Sequence, residues 1–186
     1  MRLRIRLIFL LIASLWSKKL GFLDESVLNF RVLPNDIDIR QMTNDRFIAL
    51  MDLGRMDLAF RVGLLKQMFK HKWVPLATFN TIRFRHFLKV FQKYRLRTKI
   101  IYWNEKTFCF KQQFERHDRV LATGYVCANC LGSDGPINPE DVIASTGQAV
   151  TKPLKSEIII KLEELENKIH ENQKSLDYKI NNSSGH

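Results

Sequence analysis

The sequence predicts an α+β fold in which one antiparallel sheet wraps around a single long helix. Residues 28–33 alternate apolar and polar side chains, as a strand does, and residues 44–65 form a long apolar segment without proline. Four further strand-like segments follow from Trp73 onward. One strand, one buried helix and four antiparallel strands leave no place for the alternating strands and helices of a doubly wound sheet.

The size and composition agree with one globular domain. The 186 residues are 45% hydrophobic and 26% charged, with only 8 Gly and 5 Pro, so a collagen-like or wholly disordered chain is excluded. Three cysteines cannot pair completely, which argues against a disulfide scaffold and favours a cytoplasmic protein with reduced thiols.

The net charge is +11, but the positive charge is not gathered into a stripe. The first twenty residues hold five basic and no acidic side chains, whereas residues 152–186 are balanced. Between these ends, basic side chains mostly alternate with apolar ones, as on a solvated strand face. We therefore predict that the chain has no nucleic-acid partner.

Residues 1–20 are predicted to form a basic and apolar N-terminal helix. The apolar run at residues 7–16 is too short for a bilayer, which needs roughly 20 residues. Trp16, Lys18 and Lys19 stand where a signal-peptide cleavage site would require small residues. Two alternatives remain open. The helix docks on the protein's own surface, or it lies peripherally at the inner membrane surface, with its basic residues on anionic lipid.

The central helix is expected over residues 44–65 and follows an acidic turn. Because this segment is apolar almost all round, we predict that it is buried on every side. Thr43 or Asn44 is expected to cap it, since their side-chain oxygens accept first-turn amides. Gly54 is interpreted as a point of close backbone approach rather than a break.

The second half of the chain is predicted to be a series of antiparallel strands joined by short polar turns. The expected strands are residues 74–85, 94–102, 107–115 and 120–131. The connections at residues 103–106 and 116–119 have the length of hairpin turns.

Beyond these strands we predict a loop at 132–139, a short helix at 139–144 capped by Asn138, and a C-terminal helix after Pro153. Apolar residues of the last helix fall at heptad spacing. They are Ile158, Leu162, Leu165, Ile169 and Leu176. Because the seam is shorter than three heptads, a helix laid on the domain surface is favoured over a self-associating coil. Residues 181–186 are expected to be disordered.

The cysteines and histidines do not indicate a metal or redox site. Cys127 and Cys130 match C-x-x-C, but they lie in a predicted strand, where residues three apart point to opposite faces. No second pair exists, and the five histidines do not cluster. We therefore expect neither a metal nor a cofactor.

The acidic turn before the central helix is the candidate for chemistry. Asp36 and Asp38 stand where a strand feeds a helix, and a helix start offers unpaired amides to an anion or a developing oxyanion. From spacing alone, an ordinary acidic turn with a helix cap is the simpler interpretation.

The same segment resembles the signature of hotdog-fold thioesterases. That signature reads Asp-x-Asp, a few residues, His-Met-Asn-Asn-x-Arg-Tyr, and then the long central helix. The matching stretches are FRVLPNDID at 30–38, QMTNDRF at 41–47 and MDLGR at 51–55, followed by FQKYRLRT at 91–98, Trp103, Phe114 and SDGP at 133–136. The likeness spans about residues 20–147 and is to the branch near 4-hydroxybenzoyl-CoA thioesterase.

This resemblance implies an α+β hotdog domain at residues 21–150, between the N-terminal helix at 1–20 and a C-terminal helix with a disordered tail at 151–186. It also implies hydrolysis of acyl thioesters, acyl-CoA first among them, without a cofactor. Hotdog domains pair edge to edge with the active site between protomers, so a homodimer or tetramer is expected.

Carried over by position, the resemblance makes Asp38 the catalytic carboxylate, as nucleophile or as base for water. The backbone amide of Asn44 would polarise the thioester carbonyl. Gln41 takes the place of the family histidine and Thr43 that of the first asparagine, and the loop is one residue shorter. These departures leave an alternative function: a non-catalytic hotdog protein that binds acyl groups or lipid, or acts as a scaffold, at the membrane surface.

Overall fold

The computed structural model describes residues 4–183, which form the predicted α+β architecture. The helices are α1 (Arg4–Leu15), α2 (Asn44–Arg61), α3 (Leu64–His71), α4 (Pro139–Ser145) and α5 (Glu157–Ser183). The strands are β1 (Ser26–Arg31), β2 (Ile37–Asp38), β3 (Gln41–Met42), β4 (Val74–Phe84), β5 (Lys93–Trp103), β6 (Thr107–Arg116), β7 (Arg119–Gly132) and β8 (Gly135–Ile137).

One antiparallel sheet carries the strands in the order β1-β5-β6-β7-β4, with β8 paired to β7. The four strands expected after Trp73 are confirmed to within a few residues, because each is bounded by a polar turn that ends the alternation. β1 and β4 are the two edges of the sheet, and β2 and β3 form a separate two-stranded hairpin.

Helix α2 packs its apolar stripe on the concave face of the sheet. Phe47, Leu50, Met51 and Leu58 are fully buried there. A Cβ added at Gly54 would lie 2.5 Å from Thr98 Oγ1 and 2.9 Å from Gln112 Nε2. This glycine is therefore the place of close backbone approach that the sequence predicted.

The central helix differs from the prediction in length and in exposure. It ends at Arg61, because Gly63 turns the chain with φ 85° before α3 begins. The expectation of burial on all sides was wrong, since the Ile48 side chain is 43% exposed and Asp52 lies on the outer part of the helix. The segment has the pattern of an all-round apolar helix because Ile48 lies on its outward face.

The region after β7 contains one element that the sequence did not predict. Gly135, at φ 117°, makes a tight turn, and the three-residue strand β8 folds back on β7 in place of an irregular loop. Helix α4 starts as predicted, with the Asn138 side chain accepting the Glu140 N–H at 2.9 Å.

Helix α1 docks on the domain, as one of the two alternatives for it required. Leu10 is buried and Leu7 packs against the same core, beside α2. On the opposite face, Ile8 and Phe9 are 56% and 69% exposed, and Trp16, just after the helix, is 81% exposed. Among the residues that the structure describes, no helix is both long and apolar enough to cross a bilayer.

The chain divides into two compact units, at residues 1–152 and 153–186. In the second unit Leu162 is buried, but Ile158, Leu165 and Ile169 of the predicted seam are more than 40% exposed, and it is Ile159 that is fully buried. Helix α5 runs to Ser183, so the expected disorder of residues 181–183 was wrong. The Leu176 side chain and residues 184–186 lie outside the described residues.

Candidate functional site

The β2–β3 hairpin places Asp38 and Gln41 side by side at the start of the central helix. The two residues are directly opposite in the antiparallel register, and both are exposed. Thr43 and Asn44 follow at once and begin α2. The structure therefore brings all four site residues expected from the sequence into one short segment.

The turn of this hairpin is tight and contains an unusual backbone conformation. Ile39 has φ 58° and is 92% exposed, and the Arg40 N–H donates to the Asp38 carbonyl at 2.7 Å. A positive φ costs a β-branched residue roughly 1–2 kcal/mol. The shortened loop is thus accommodated by a strained two-residue turn beside Asp38, in a position where glycine would be the ordinary choice.

The first aspartate of the pair faces the protein interior. Asp36 is buried and binds Arg6 of α1 at 2.5 Å, and its carboxylate also accepts the Leu33 N–H at 2.9 Å. Its carbonyl accepts the Thr43 N–H at 3.3 Å. Asp36 therefore ties the N-terminal helix, the end of β1 and the helix start together, and leaves the outward position to Asp38.

The first turn of α2 presents a backbone donor next to the hairpin. Thr43 is the N-cap residue, yet its side chain does not cap the helix, contrary to the sequence prediction. Its hydroxyl instead lies by Asp45 and is the main cause that lowers the pKa of that carboxyl. The hydrogen bonds found among the described residues include no acceptor for the Asn44 N–H. Such an amide is a donor for a developing oxyanion.

The other side of the hairpin is held by the loop between β4 and β5. The Met42 N–H donates to the Leu88 carbonyl at 2.8 Å, and both side chains are buried. Val32 and the segment at Phe91 and Gln92 exchange two further bonds, of 3.0 and 2.9 Å. Asp38 is therefore a projecting side chain on a backbone fixed at both ends.

A second feature, which sequence reasoning missed, is an apolar pocket of about 350 Å³ between α2, α3 and the sheet. Asp52 and Arg55 form an ion pair on its wall, and Arg55 Nη1 donates to Gln112 Oε1 at 2.7 Å. Gln112 in turn donates to Thr98 Oγ1 and to the Met51 carbonyl, each at 2.9 Å. Burial lowers the pKa of Arg55, and Asp52 opposes that shift. The sequence signal for these buried hydrogen bonds was the presence of Thr98 and Gln112, two polar residues on the inward faces of β5 and β6.

The cysteines lie in the core. Cys127 stands opposite Cys109 on the neighbouring strand, with their sulfurs 3.0 Å apart, and Cys130 is also buried. Burial raises the pKa of the Cys130 thiol to about 11. Within the described part of the chain, no group of three or more His, Cys, Asp or Glu side chains is placed to hold a metal ion.

Comparison with known proteins agrees with this architecture. The model of the thioesterase-like superfamily matches residues 32–143. Protein THEM6 of Drosophila melanogaster is 25% identical over 158 residues, which is 82% of this chain and 80% of the relative. Protein THEM6 of Danio rerio is 30% identical over 118 residues, or 62% of this chain and 58% of the relative.

Solved structures show the same fold at low sequence identity. A hypothetical protein from Thermus thermophilus superposes with a TM-score of 0.62 at 19% identity, over 69% of this chain and 100% of the other. A 1,4-dihydroxy-2-naphthoyl-CoA thioesterase from Synechocystis has a TM-score of 0.57 at 10% identity, over 68% of this chain and 100% of the other. A hypothetical protein from Staphylococcus aureus in complex with CoA has a TM-score of 0.58 at 11% identity, over 74% of this chain and 94% of the other. The family match spans more than half of the chain and includes the Asp38 hairpin, α2 and the strands β4 to β8, and the chain therefore belongs to the thioesterase-like superfamily, with its hotdog fold.

Proposed function

We propose that this protein hydrolyses acyl thioesters, with Asp38 as the catalytic carboxylate. The observation that carries the proposal is the pairing of two features in one segment. An exposed carboxylate sits on a hairpin that is hydrogen-bonded on both sides, and the hairpin leads directly into a helix whose first amide has no acceptor among the described residues. A thioester carbonyl needs a nucleophile or base on one side and a hydrogen-bond donor for its oxygen on the other.

In the water route, Asp38 removes a proton from a water molecule whose oxygen bonds to the thioester carbonyl carbon. The Asn44 N–H donates to the oxygen that becomes negative in the tetrahedral intermediate. Collapse of the intermediate breaks the C–S bond, and the thiolate takes up the proton. In the nucleophilic route, the Asp38 oxygen itself bonds to the carbonyl carbon, and the C–S bond breaks to release the thiolate. Water then hydrolyses the resulting anhydride, which regenerates the Asp38 carboxylate, and the thiolate takes up a proton released in this step.

Gln41 and Thr43 act as positioning residues in this scheme. Gln41, opposite Asp38 in the hairpin, has an amide that donates and accepts hydrogen bonds without carrying charge. Thr43 precedes the donor amide and fixes the first turn through its bond to the Asp36 carbonyl.

Coenzyme A is the carrier that we propose. Two of the solved neighbours are a CoA thioesterase and a protein in complex with CoA, which supports this choice. The net charge of +11 also suits a carrier with several phosphates.

We further propose that the active form is a homodimer joined along β4. This edge strand leaves its outer hydrogen-bonding groups without a neighbouring strand among the described residues, and it exposes Val74 and Leu76. An open, apolar sheet edge is a surface on which a second copy can add its own edge. In an edge-to-edge dimer, the partner would supply the second wall that the exposed Asp38 lacks.

A second candidate function follows from the outer face of α1. Ile8 and Phe9 are exposed on it, and the exposed Trp16 follows the helix directly, with Lys18 and Lys19 just beyond. Apolar side chains, an exposed tryptophan and adjacent lysines are the pattern of a segment that lies in an anionic membrane interface. We infer that α1 uses one face to dock on the domain and the other to contact lipid.

An assay of the purified full chain with acyl-CoA esters of increasing chain length tests the enzymatic proposal. We expect release of free CoA at a rate above the uncatalysed one for at least one chain length. Saturable binding of acyl-CoA without any release of CoA would instead establish the non-catalytic, acyl-binding alternative.

A further inference from the structure

A basic groove of about 910 Å³ lies where β1 ends, β5 begins and β6 ends. Its lining includes Arg31, Lys93, Arg95 and Arg116, with Glu115 as the carboxylate among the described lining residues. The groove therefore carries a surplus of positive charge at one end of the sheet.

Two of these cations are placed unfavourably for a protein without a ligand. Arg31 and Lys93 are directly opposite each other in the antiparallel register of β1 and β5. Like charges in this position repel, and the ion pairs of the described residues include no acid for either side chain. Arg95, by contrast, is paired with Asp118 at 3.2 Å and with Glu115 at 3.7 Å.

One buried donor also belongs to a residue that lines the groove. The Nε atom of Arg116 is inaccessible to solvent and has no hydrogen-bond partner among the described residues. Buried polar groups in folded proteins nearly always have a partner. Cations without acidic partners and an unpaired guanidinium donor suit a ligand that is rich in acceptors and negatively charged, and phosphate groups have both properties.

The groove is connected to the candidate active site through the backbone. Phe91 and Gln92 line it and are hydrogen-bonded to Val32, the residue after Arg31. Asp38 follows Arg31 by seven residues, so the two backbones are at most about 25 Å apart. A ligand with an extended arm between its phosphates and its thioester matches that arrangement.

We propose that this groove binds the phosphate groups of the coenzyme A carrier, with Arg31 and Lys93 as the principal contacts. This role presupposes the thioesterase function proposed above and assigns the carrier's phosphates to particular side chains. Both residues are exposed, and binding an anion between them would replace their mutual repulsion by charge-assisted hydrogen bonds.

Calorimetric titration of the full chain with free CoA tests the assignment without requiring catalysis. We compare the wild type with Arg31→Gln/Lys93→Gln and with a matched control, Lys66→Gln/Lys70→Gln, which removes two exposed cations from α3. The groove variant should bind CoA at least tenfold more weakly, whereas the control should stay within about twofold of the wild type. The wild-type affinity should also fall as salt is added, and the groove variant should lose most of that dependence.

A stability measurement separates binding from folding. Because the groove variant removes a repulsive pair, its unfolding midpoint in urea without CoA should equal or exceed that of the wild type. Equal CoA affinity in the wild type and the groove variant would overturn the assignment, and so would tighter binding of inorganic pyrophosphate than of CoA. If CoA binds in the groove but no acyl-CoA is hydrolysed, the site stands and the proposed catalysis fails. If acyl-CoA is hydrolysed but the groove variant binds CoA as tightly as the wild type does, the proposed catalysis stands and the groove assignment fails.

Discussion

Asp36 and Asp38 are two positions apart, and their side chains have opposite environments. Alternate residues of an extended strand share a face, but Asp36 is the last residue of a 3₁₀ turn, Pro34–Asp36, whereas Asp38 belongs to the two-residue strand that follows. One carboxylate is therefore paired with Arg6 in the interior, and the other projects from the hairpin. The Asp-x-Asp pattern thus combines a buried, paired carboxylate with an exposed one, and spacing alone does not distinguish them.

We predict that Asp36→Asn lowers the free energy of unfolding by about 2 kcal/mol. The change leaves Arg6 partly buried without its carboxylate, and breaking a fully buried pair costs about 3–5 kcal/mol. Urea unfolding measures the loss. Asp118→Asn is the control, because its pair with Arg95 lies at the surface and should contribute less than about 1 kcal/mol. A loss no larger than that of the control would show that Asp36 does not anchor α1.

Because Gln41 takes the place of the family histidine, we make a prediction about pH dependence. An amide does not titrate near neutral pH, so the kcat/KM profile should lack a histidine-like transition between about pH 6 and 7. Turnover should be slow, and Gln41→His alone should not restore it, because misplacement by about 1 Å in the short turn can cost roughly a hundredfold. A wild-type rate equal to that of a dedicated thioesterase would contradict this expectation.

At the scale of single elements, the strands were predicted better than the helices. Each strand after Trp73 is bounded by a polar turn, and these turns set the limits. The end of α2 depends on the left-handed conformation at Gly63. The buried hydrogen bonds of Gln112 depend on the packing of α2 against β6. Contacts between residues about sixty positions apart leave little trace in local periodicity. The pocket lined by Arg55 was missed for the same reason, because its lining residues come from elements that are distant in the sequence.

Helix α1 has a docked face and an exposed face, and the lipid contact proposed for the exposed face can be tested separately. We predict that Phe9→Ser reduces binding to vesicles that contain anionic lipid by about tenfold or more, since a buried Phe contributes about 1.5–3 kcal/mol. Phe69→Ser is the control, because Phe69 is similarly exposed on α3, at 75% against 69% for Phe9. Vesicle sedimentation measures both. Equal binding of the two variants would show that α1 does not contact lipid.

At the scale of the whole molecule, the position of β4 at the edge of the sheet determines how two copies can associate. We predict that Leu76→Lys converts a dimer to a monomer, because a charge on an edge strand opposes strand pairing. Leu165→Lys on α5 is the control, since Leu165 is exposed to a similar degree, 46% against 49%. Light scattering after size-exclusion chromatography gives the mass. A dimeric Leu76→Lys variant would place the interface elsewhere.

The family and the fold could be predicted from the sequence because the Asp-x-Asp segment, the central helix and the strand order all agree. The four candidate site residues are close together in the sequence, so their proximity in the structure could be predicted. The basic groove could not be predicted, because Arg31, Lys93 and Arg116 meet only through the pairing of β1, β5 and β6.

The most direct test of the proposed chemistry is the acyl-CoA hydrolysis rate of Asp38→Asn. Asp134→Asn serves as the control, because it removes another exposed carboxylate far along the sequence. We predict that Asp38→Asn lowers kcat by at least about a hundredfold, as expected for a nucleophile or general base, while its unfolding midpoint and that of the control stay at the wild-type value. Wild-type turnover by Asp38→Asn would contradict the assignment of this residue.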